Sequence, residues 1–366
     1  MVKRRVLFIM HLPPPVHGAS MVGKYIHDSS LINEQFDCDY INLAIATSLE
    51  DIGQFNKGKL LAIIVLLKNI ILRVIRFKPD LVYVTPNAKG GAFLKEFVVV
   101  QLLKMMRCKV VAHYHNKGVS TKQGLWLYNL LYMMFFKNIK VILLGKSLYK
   151  DIEKYVKIED VFICPNGIPS SSAFPFKEHY NKVPNLLFLS NLIESKGVLV
   201  LLDALNLIKQ SYVFHCDFVG GETFEIDATR FDKEIESRGL KEFVTYHGKK
   251  YGAEKDKVYQ NADIFVFPTY YENECFPLVL LEAMQFGLPC ITTNEGAISD
   301  IIEDGINGLI AQKRDIYELS NHIITLLTNK ELRKKMGNEA KIKFQKEFTL
   351  EVFERRFCII LEHLVQ

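Results

Sequence analysis

No apolar run in this 366-residue sequence reaches the 18 or so residues that a membrane-crossing helix needs. The longest clear runs, Leu60 to Leu67 and Leu130 to Phe136, fall well short. No secretory leader is expected, because the apolar stretch Val6 to Met10 behind Lys3-Arg4-Arg5 is only strand-sized. The seven cysteines, at 38, 108, 164, 216, 275, 290 and 358, form no C-x-x-C pair. Their odd number and wide scatter argue against a disulfide framework and for reduced thiols in the cytoplasm. There is no G-x-G-x-x-G, which speaks against a dinucleotide-dependent oxidoreductase.

What is present suffices for two cores. The length predicts two domains, and 49% of the residues are hydrophobic. The net charge of +5 conceals an asymmetry. Residues 1–168 hold 23 Lys and Arg against 12 Asp and Glu, a net +11, while the remainder holds 23 against 29, a net −6. Halves of opposite sign suggest different partners. For the first half these are anionic lipid, nucleic acid or a phosphate-bearing substrate, and an ordinary solvated surface is the alternative.

The most informative stretch runs from Asn261 to Ile310. Ile264-Phe-Val-Phe267, stopped by Pro268, reads as a strand buried on both faces. A polar loop, Thr269 to Glu274, precedes Pro277, whose fixed φ suits a helix start. A helix is expected over Leu278 to Phe286, ended by Gly287, and Pro289 to Thr292 reads as the next strand. In open α/β sheets such a loop, at a strand's carboxyl end, is where ligands bind. Glu282 stands in an otherwise apolar helix, where a carboxylate is costly unless paired. Glu274 lies just ahead, with seven residues between them. On the residues alone, Glu274 as a capping acid and Glu282 as a half-exposed helix residue remain open alternatives.

This stretch resembles the donor site of retaining glycosyltransferases of family 4, which have the GT-B fold. Their pattern E-x-F-x-L-x-x-x-E-A-M, then G-x-P-V/C-I, stands here as Glu274-Cys-Phe276-Pro-Leu278-Val279-Leu-Leu-Glu282-Ala-Met and Gly287-Leu-Pro-Cys-Ile. The resemblance implies that Glu274 contacts hydroxyls of the donor sugar and that Glu282 holds the ribose. It places Phe276, Leu278 and Val279 in the donor site. It also implies a nucleotide diphosphate sugar as donor, a front-face displacement and no metal cofactor.

Arg5 to Met10 is the first strand, and the loop His11 to Ser20 leads to a helix near Met21. Gly18-Ala19-Ser20 at that helix start suits an anion, and the resemblance transfers a donor-facing role to Gly18. In Asp37-Cys-Asp39, alternation with Phe36, Cys38 and Tyr40 favours a strand with a solvated face over a metal motif. Lys57 to Lys78 reads as a core-packed helix with a basic outer face, and contact with an anionic membrane is its alternative. His113 and His115 share one side of the strand Lys109 to Asn116. A third metal ligand is not near them in sequence. The resemblance favours His115 as the histidine beside the donor sugar, with His113 still open. A helix is expected from Ser147 to Lys157.

In the second half, Lys196-Gly197 fits the family's phosphate loop, G-R-x-x-x-x-K-G. Asn191 stands where arginine is common, which leaves one cation fewer and makes Lys249 or Lys250 a candidate replacement. Gly248 and Lys249 match the place where the family contacts the base.

The resulting expectation is a GT-B chain of two doubly wound Rossmann-like domains facing a cleft. Residues 1–168 form the acceptor-side domain, 169–183 the linker, 184–348 the donor domain and 349–366 a helix crossing back. The implied reaction moves a sugar from a nucleotide diphosphate sugar to a hydroxyl of a glycan or lipid-linked acceptor, in bacterial surface polysaccharide synthesis. Glu274 and His115 are its catalytic candidates. The expected setting is the cytoplasm or the inner face of an anionic membrane, with no nucleic acid partner. A binding subunit without catalysis is the alternative, kept open by Asn191.

Overall fold

The computed structural model describes residues 3–14, 18–43, 57–170 and 181–366, and for 57–60 the backbone alone. The chain divides into two compact units. One comprises Met1–Gly167 with Leu350–Gln366, and the other comprises Ile168–Thr349. Most of the expected linker 169–183, and residues 15–17 of the loop before Gly18, lie outside the described residues.

Each unit is built on a six-stranded parallel sheet. The first contains β1 (Arg5–Met10), β2 (Asp37–Asn42), β3 (Leu81–Val84), β4 (Val110–Tyr114), β5 (Lys140–Leu143) and β6 (Val161–Ile163). Its order is β2-β1-β3-β4-β5-β6. The second contains β7 (Asn185–Leu189), β8 (His215–Val219), β9 (Val244–Tyr246), β10 (Ile264–Phe267), β11 (Cys290–Thr293) and β12 (Gly308–Ala311). Its order, β12-β11-β10-β7-β8-β9, is the Rossmann order read from the other edge. The central strands β3, β4, β10 and β11 are buried at every position, as strands covered by helices on both faces are; β10 is a continuous Ile-Phe-Val-Phe run, while β4 and β11 also carry polar residues, His113 and Thr292 among them.

The core of the first unit closes with the last helix, Leu350–Val365. Phe357 is fully buried, and its ring lies 5.3 Å from Tyr83, 6.2 Å from His113 and 6.4 Å from Phe8. Burial pushes the His113 imidazole well below its ordinary range, with His115 adding to the effect, so His113 stays neutral in the folded core. Its Nδ1 lies 2.8 Å from the Tyr83 hydroxyl.

Three expectations need correction. The helix after β1 begins at Gly18, not near Met21. Ser147 to Lys157 does not form one helix; a 3₁₀ turn spans Lys146–Asp151. The reason is Asp151, whose carboxylate accepts the backbone N–H groups of Gly118, Val119 and Ser120 and so holds the neighbouring loop instead of continuing a helix. The helix Lys57–Phe77 does not have a basic outer face alone, because Ile64, Val65, Leu72 and Ile75 are exposed on it. In β2, Asp39 pairs with Arg73, as a solvated face allows.

Truncating Phe357 removes the ring that joins the last helix to β1, β3 and β4. Phe357→Ala is expected to cost about 3–5 kcal/mol in the first unit, read as a lower urea midpoint.

Candidate active site

In the second unit the strand order reverses between β7 and β10. The crevice beyond the carboxyl ends of these two strands is where open α/β sheets take ligands. Two loops meet there. The loop after β7 carries Asn191 to Gly197, and the loop after β10 carries Pro268 to Pro277. The Tyr270 N–H donates to the Ser195 carbonyl at 2.8 Å and ties them together. Gly197 has φ +89°, and a Cβ there would stand 2.3 Å from the Pro268 carbonyl oxygen. Only glycine meets both conditions.

This close approach brings together side chains far apart in the chain. Lys196 Nζ lies 2.5 Å from Glu274 Oε2. The ammonium also sits over the rings of Tyr271, at 4.5 Å, and Phe267, at 5.6 Å. Both members of the ion pair are largely shielded, with side chains 15% and 10% exposed. Glu274 is held from the other side as well. A Cβ on Gly296 would meet the Glu274 carbonyl oxygen at 2.3 Å, and the Ala297 N–H donates to the Cys275 carbonyl at 2.7 Å. The loop after β11 thus presses on the backbone that carries the carboxylate.

Glu282 lies on the helix Leu278–Gln285, which Pro277 precedes and Gly287, at φ +70°, follows. It is not left unpaired in its apolar helix. Its Oε2 accepts from the Tyr259 hydroxyl at 2.8 Å, and its Oε1 lies 2.6 Å from Lys255 Nζ. Burial, together with the neighbouring Glu282 carboxylate, raises the Tyr259 phenol well above its ordinary range. It therefore remains a donor. Lys255 and Tyr259 are four residues apart on the helix Gly252–Asn261 and so share one of its faces. In the sequence, the only sign of these two partners of Glu282 is that i, i+4 spacing.

Asn191 Oδ1 accepts the Gly221 N–H at 3.2 Å, at the carboxyl end of β8. A Cβ on Gly221 would lie 2.3 Å from Lys249 Cε and 3.0 Å from Asn191 Oδ1. The glycine leaves a channel for the Lys249 chain beside Asn191. Gly248, at φ +66°, makes the turn before it. Leu278 and Val279 open their helix and are half-buried, while the Phe276 ring turns inward against Phe348 at 6.0 Å.

Gly18 and His115 belong to the first unit. Gly18 opens the helix Gly18–Asp28 with nothing within 4 Å of where its Cβ would stand. His115 follows β4, and its ring lies against that of His113, centroids 4.2 Å apart and planes inclined by 41°. The same unit holds a buried polar group around Glu96. Buried Glu96 accepts from the Asn87 N–H, and its Oε1 lies 3.4 Å from Lys95 Nζ and 3.6 Å from His11 Nε2. Burial raises its carboxyl pKa, against the opposing pull of Lys95 and Asn87. Three or more potential metal ligands do not cluster among the described residues.

Residues 169–343, nearly the whole second unit, match the family described as glycosyl transferases group 1. Over that span the second unit is similar to the family. Among curated relatives, an uncharacterized glycosyltransferase of Methanocaldococcus jannaschii, MJ1178, is 28% identical over 58% of this chain and 56% of its own length. The amylovoran biosynthesis glycosyltransferase AmsK of Erwinia amylovora is 24% identical over 72% of this chain and 66% of its own. The chain thus spans less than two thirds of the length of these relatives. Among solved structures, Anabaena HepE in complex with UDP superposes with a TM-score of 0.73 at 17% identity, covering 98% of this chain and 100% of that one. That likeness establishes the shared GT-B fold.

Gly197→Ala tests the crossing of the two loops. It combines an unfavourable φ with a backbone clash, whereas Gly124→Ala meets nothing within 4 Å. The expected outcome is a clear loss of melting temperature for the first variant and little change for the second.

Proposed function

We propose that the chain is a retaining glycosyltransferase of the family 4 type. It moves a sugar from a nucleoside diphosphate sugar to a hydroxyl of a glycan or lipid-linked acceptor, in surface polysaccharide synthesis at the cytoplasmic face of a membrane. The observation that carries this reading is the Lys196–Glu274 pair, set at the reversal of a Rossmann-order sheet. A cation and a carboxylate in contact there suit a donor that is anionic at one end and rich in hydroxyls at the other.

In this reading Lys196 exchanges Glu274 for the diphosphate and stabilises the charge that develops as it leaves. Glu274, released, accepts hydrogen bonds from sugar hydroxyls. The first N–H groups of the helix beginning at Leu278 and Val279 add dipole to the same end. Pro277 contributes no donor. Glu282, oriented by Tyr259 and Lys255, accepts from the ribose. Lys249 supplies the second cation beside Asn191, where the family commonly has arginine. In the first unit, Gly18 and His115 are the residues to which the family resemblance assigns a donor role. No side chain is assigned as a nucleophile, and the chemistry invokes no metal. The names of AmsK, for amylovoran biosynthesis, and of HepE, solved with UDP, support the substrate class.

Calorimetry with a nucleoside diphosphate and its nucleoside tests the donor site. Lys196→Ala and Lys249→Ala are each expected to weaken the diphosphate far more than the nucleoside, and equal losses for both ligands refute the placement. For the carboxylates, Glu282→Ala is expected to cost about 1.5–3 kcal/mol of nucleotide affinity. Glu274→Gln is expected to keep nucleotide binding and lose transfer from a panel of donor sugars. Wild-type binding and wild-type turnover in both carboxylate variants would remove the site assignment.

A further inference from the structure

The first unit has an outer face that ordinary surface helices lack. The steps β2 to β3, β3 to β4 and β4 to β5 all advance in one direction across the sheet. Right-handed crossovers therefore set the helices Lys57–Phe77, Gly90–Met105 and Trp126–Phe136 on one side of it. The second and third are joined directly, because Lys104 Nζ donates to the Met134 and Phe135 carbonyls at 2.7 and 2.6 Å.

Each helix has two apolar stripes where one is needed. The inner stripes are buried, as with Leu66, Ile70 and Val74 on the first helix. The outer stripe of that helix follows with Leu61, Val65, Leu72 and Ile75, spaced by three, four or seven residues, and all are exposed. On the second helix Leu94, Val98 and Met105 repeat this spacing, and Met105 is 81% exposed. On the third, Trp126, Leu130 and Met133 do so, and Trp126 is 78% exposed. Exposed apolar residues of the second unit, such as Phe224, Val213 and Tyr317, stand on separate elements. Scattered single residues need no explanation, but three such stripes on helices covering one side of a sheet do.

The charge on this face selects its occupant. The three helices contain one acidic residue, Glu96, which is buried. Lys68, Arg76, Arg107 and Lys137 are exposed on these helices or just past their ends. A second copy of the same face would oppose cation to cation with no carboxylate to pair. An anionic lipid surface offers phosphates to the cations and an acyl boundary to the apolar stripes, with Trp126 suited to the interface between them. Among the described residues no helix is long and apolar enough to cross a membrane, so the proposed contact is peripheral.

We propose that this three-helix face docks the chain onto an anionic membrane surface. The proposal adds a place of work to the lipid-linked acceptor reading, and it does not depend on the donor site. Flotation of the full chain with phosphatidylglycerol or phosphatidylcholine vesicles, without nucleotide, tests it. The native chain is expected to float with the anionic vesicles at 0.1 M salt and less at 1 M, where the Debye length falls to about 3 Å. Combined Lys68→Gln and Arg76→Gln is expected to weaken that partitioning about 30-fold. Val65→Glu with Leu130→Glu is expected to abolish it. In both, an unchanged circular dichroism spectrum and unchanged nucleoside diphosphate affinity show that the fold and donor site are intact. Absence of flotation at low salt, or equal flotation of the glutamate variant, overturns the proposal. So does a dimer in sedimentation that the glutamate variant dissociates, because the face would then belong to a second copy.

Discussion

Lys196 and Glu274, 78 residues apart in the chain, meet at 2.5 Å. That contact exists because two loops cross at backbone distance where the strand order reverses. Gly197 allows the crossing, since any Cβ would strike the Pro268 carbonyl. Gly296 allows the next loop to press on Glu274 in the same manner. The charges in this crevice thus depend on two positions with no side chain. A cation shielded by Tyr271 and Phe267 interacts more strongly with its carboxylate than a solvated pair would, and the same shielding would strengthen its hold on a phosphate.

The second carboxylate obeys a different constraint. Glu282 sits one turn into an apolar helix, and its cost there is offset by a buried phenol and an ammonium from one face of a neighbouring helix. The two glutamates therefore share a segment but not partners. One is held by a cation that a diphosphate can claim, and the other by groups that orient it. That division fits a ligand with a sugar at one end and a ribose at the other.

The two units present their surfaces differently. In the second, acidic and basic side chains alternate over the outer helices, as in Ala228–Ser237 and Lys330–Glu347. In the first, one side of the sheet is covered by helices apolar on both flanks and nearly free of carboxylates. The net +11 of residues 1–168 marks the unit. It does not indicate which side of the sheet differs.

Much was legible in the sequence. Buried strands such as Ile264 to Phe267 announce themselves as unbroken β-branched and aromatic runs, and β1 and β10 have the boundaries such runs predict. The order Glu274, Phe276, Leu278, Glu282 pointed to the same loop and helix that the fold sets at the strand ends, because local periodicity and turn chemistry act over a few residues. What acts over longer distances was not legible. Asp151 caps a loop more than thirty residues away and thereby breaks an expected helix. Lys255 and Tyr259 serve Glu282, and Gly221 brings Lys249 beside Asn191. By itself, the sequence determined most of the elements, the parallel sheets and the residues eligible for the site, since these follow from backbone conformation and burial pattern. Tertiary structure alone decided which charges pair and which stripe of a helix faces outward, because both depend on strand order and crossover direction.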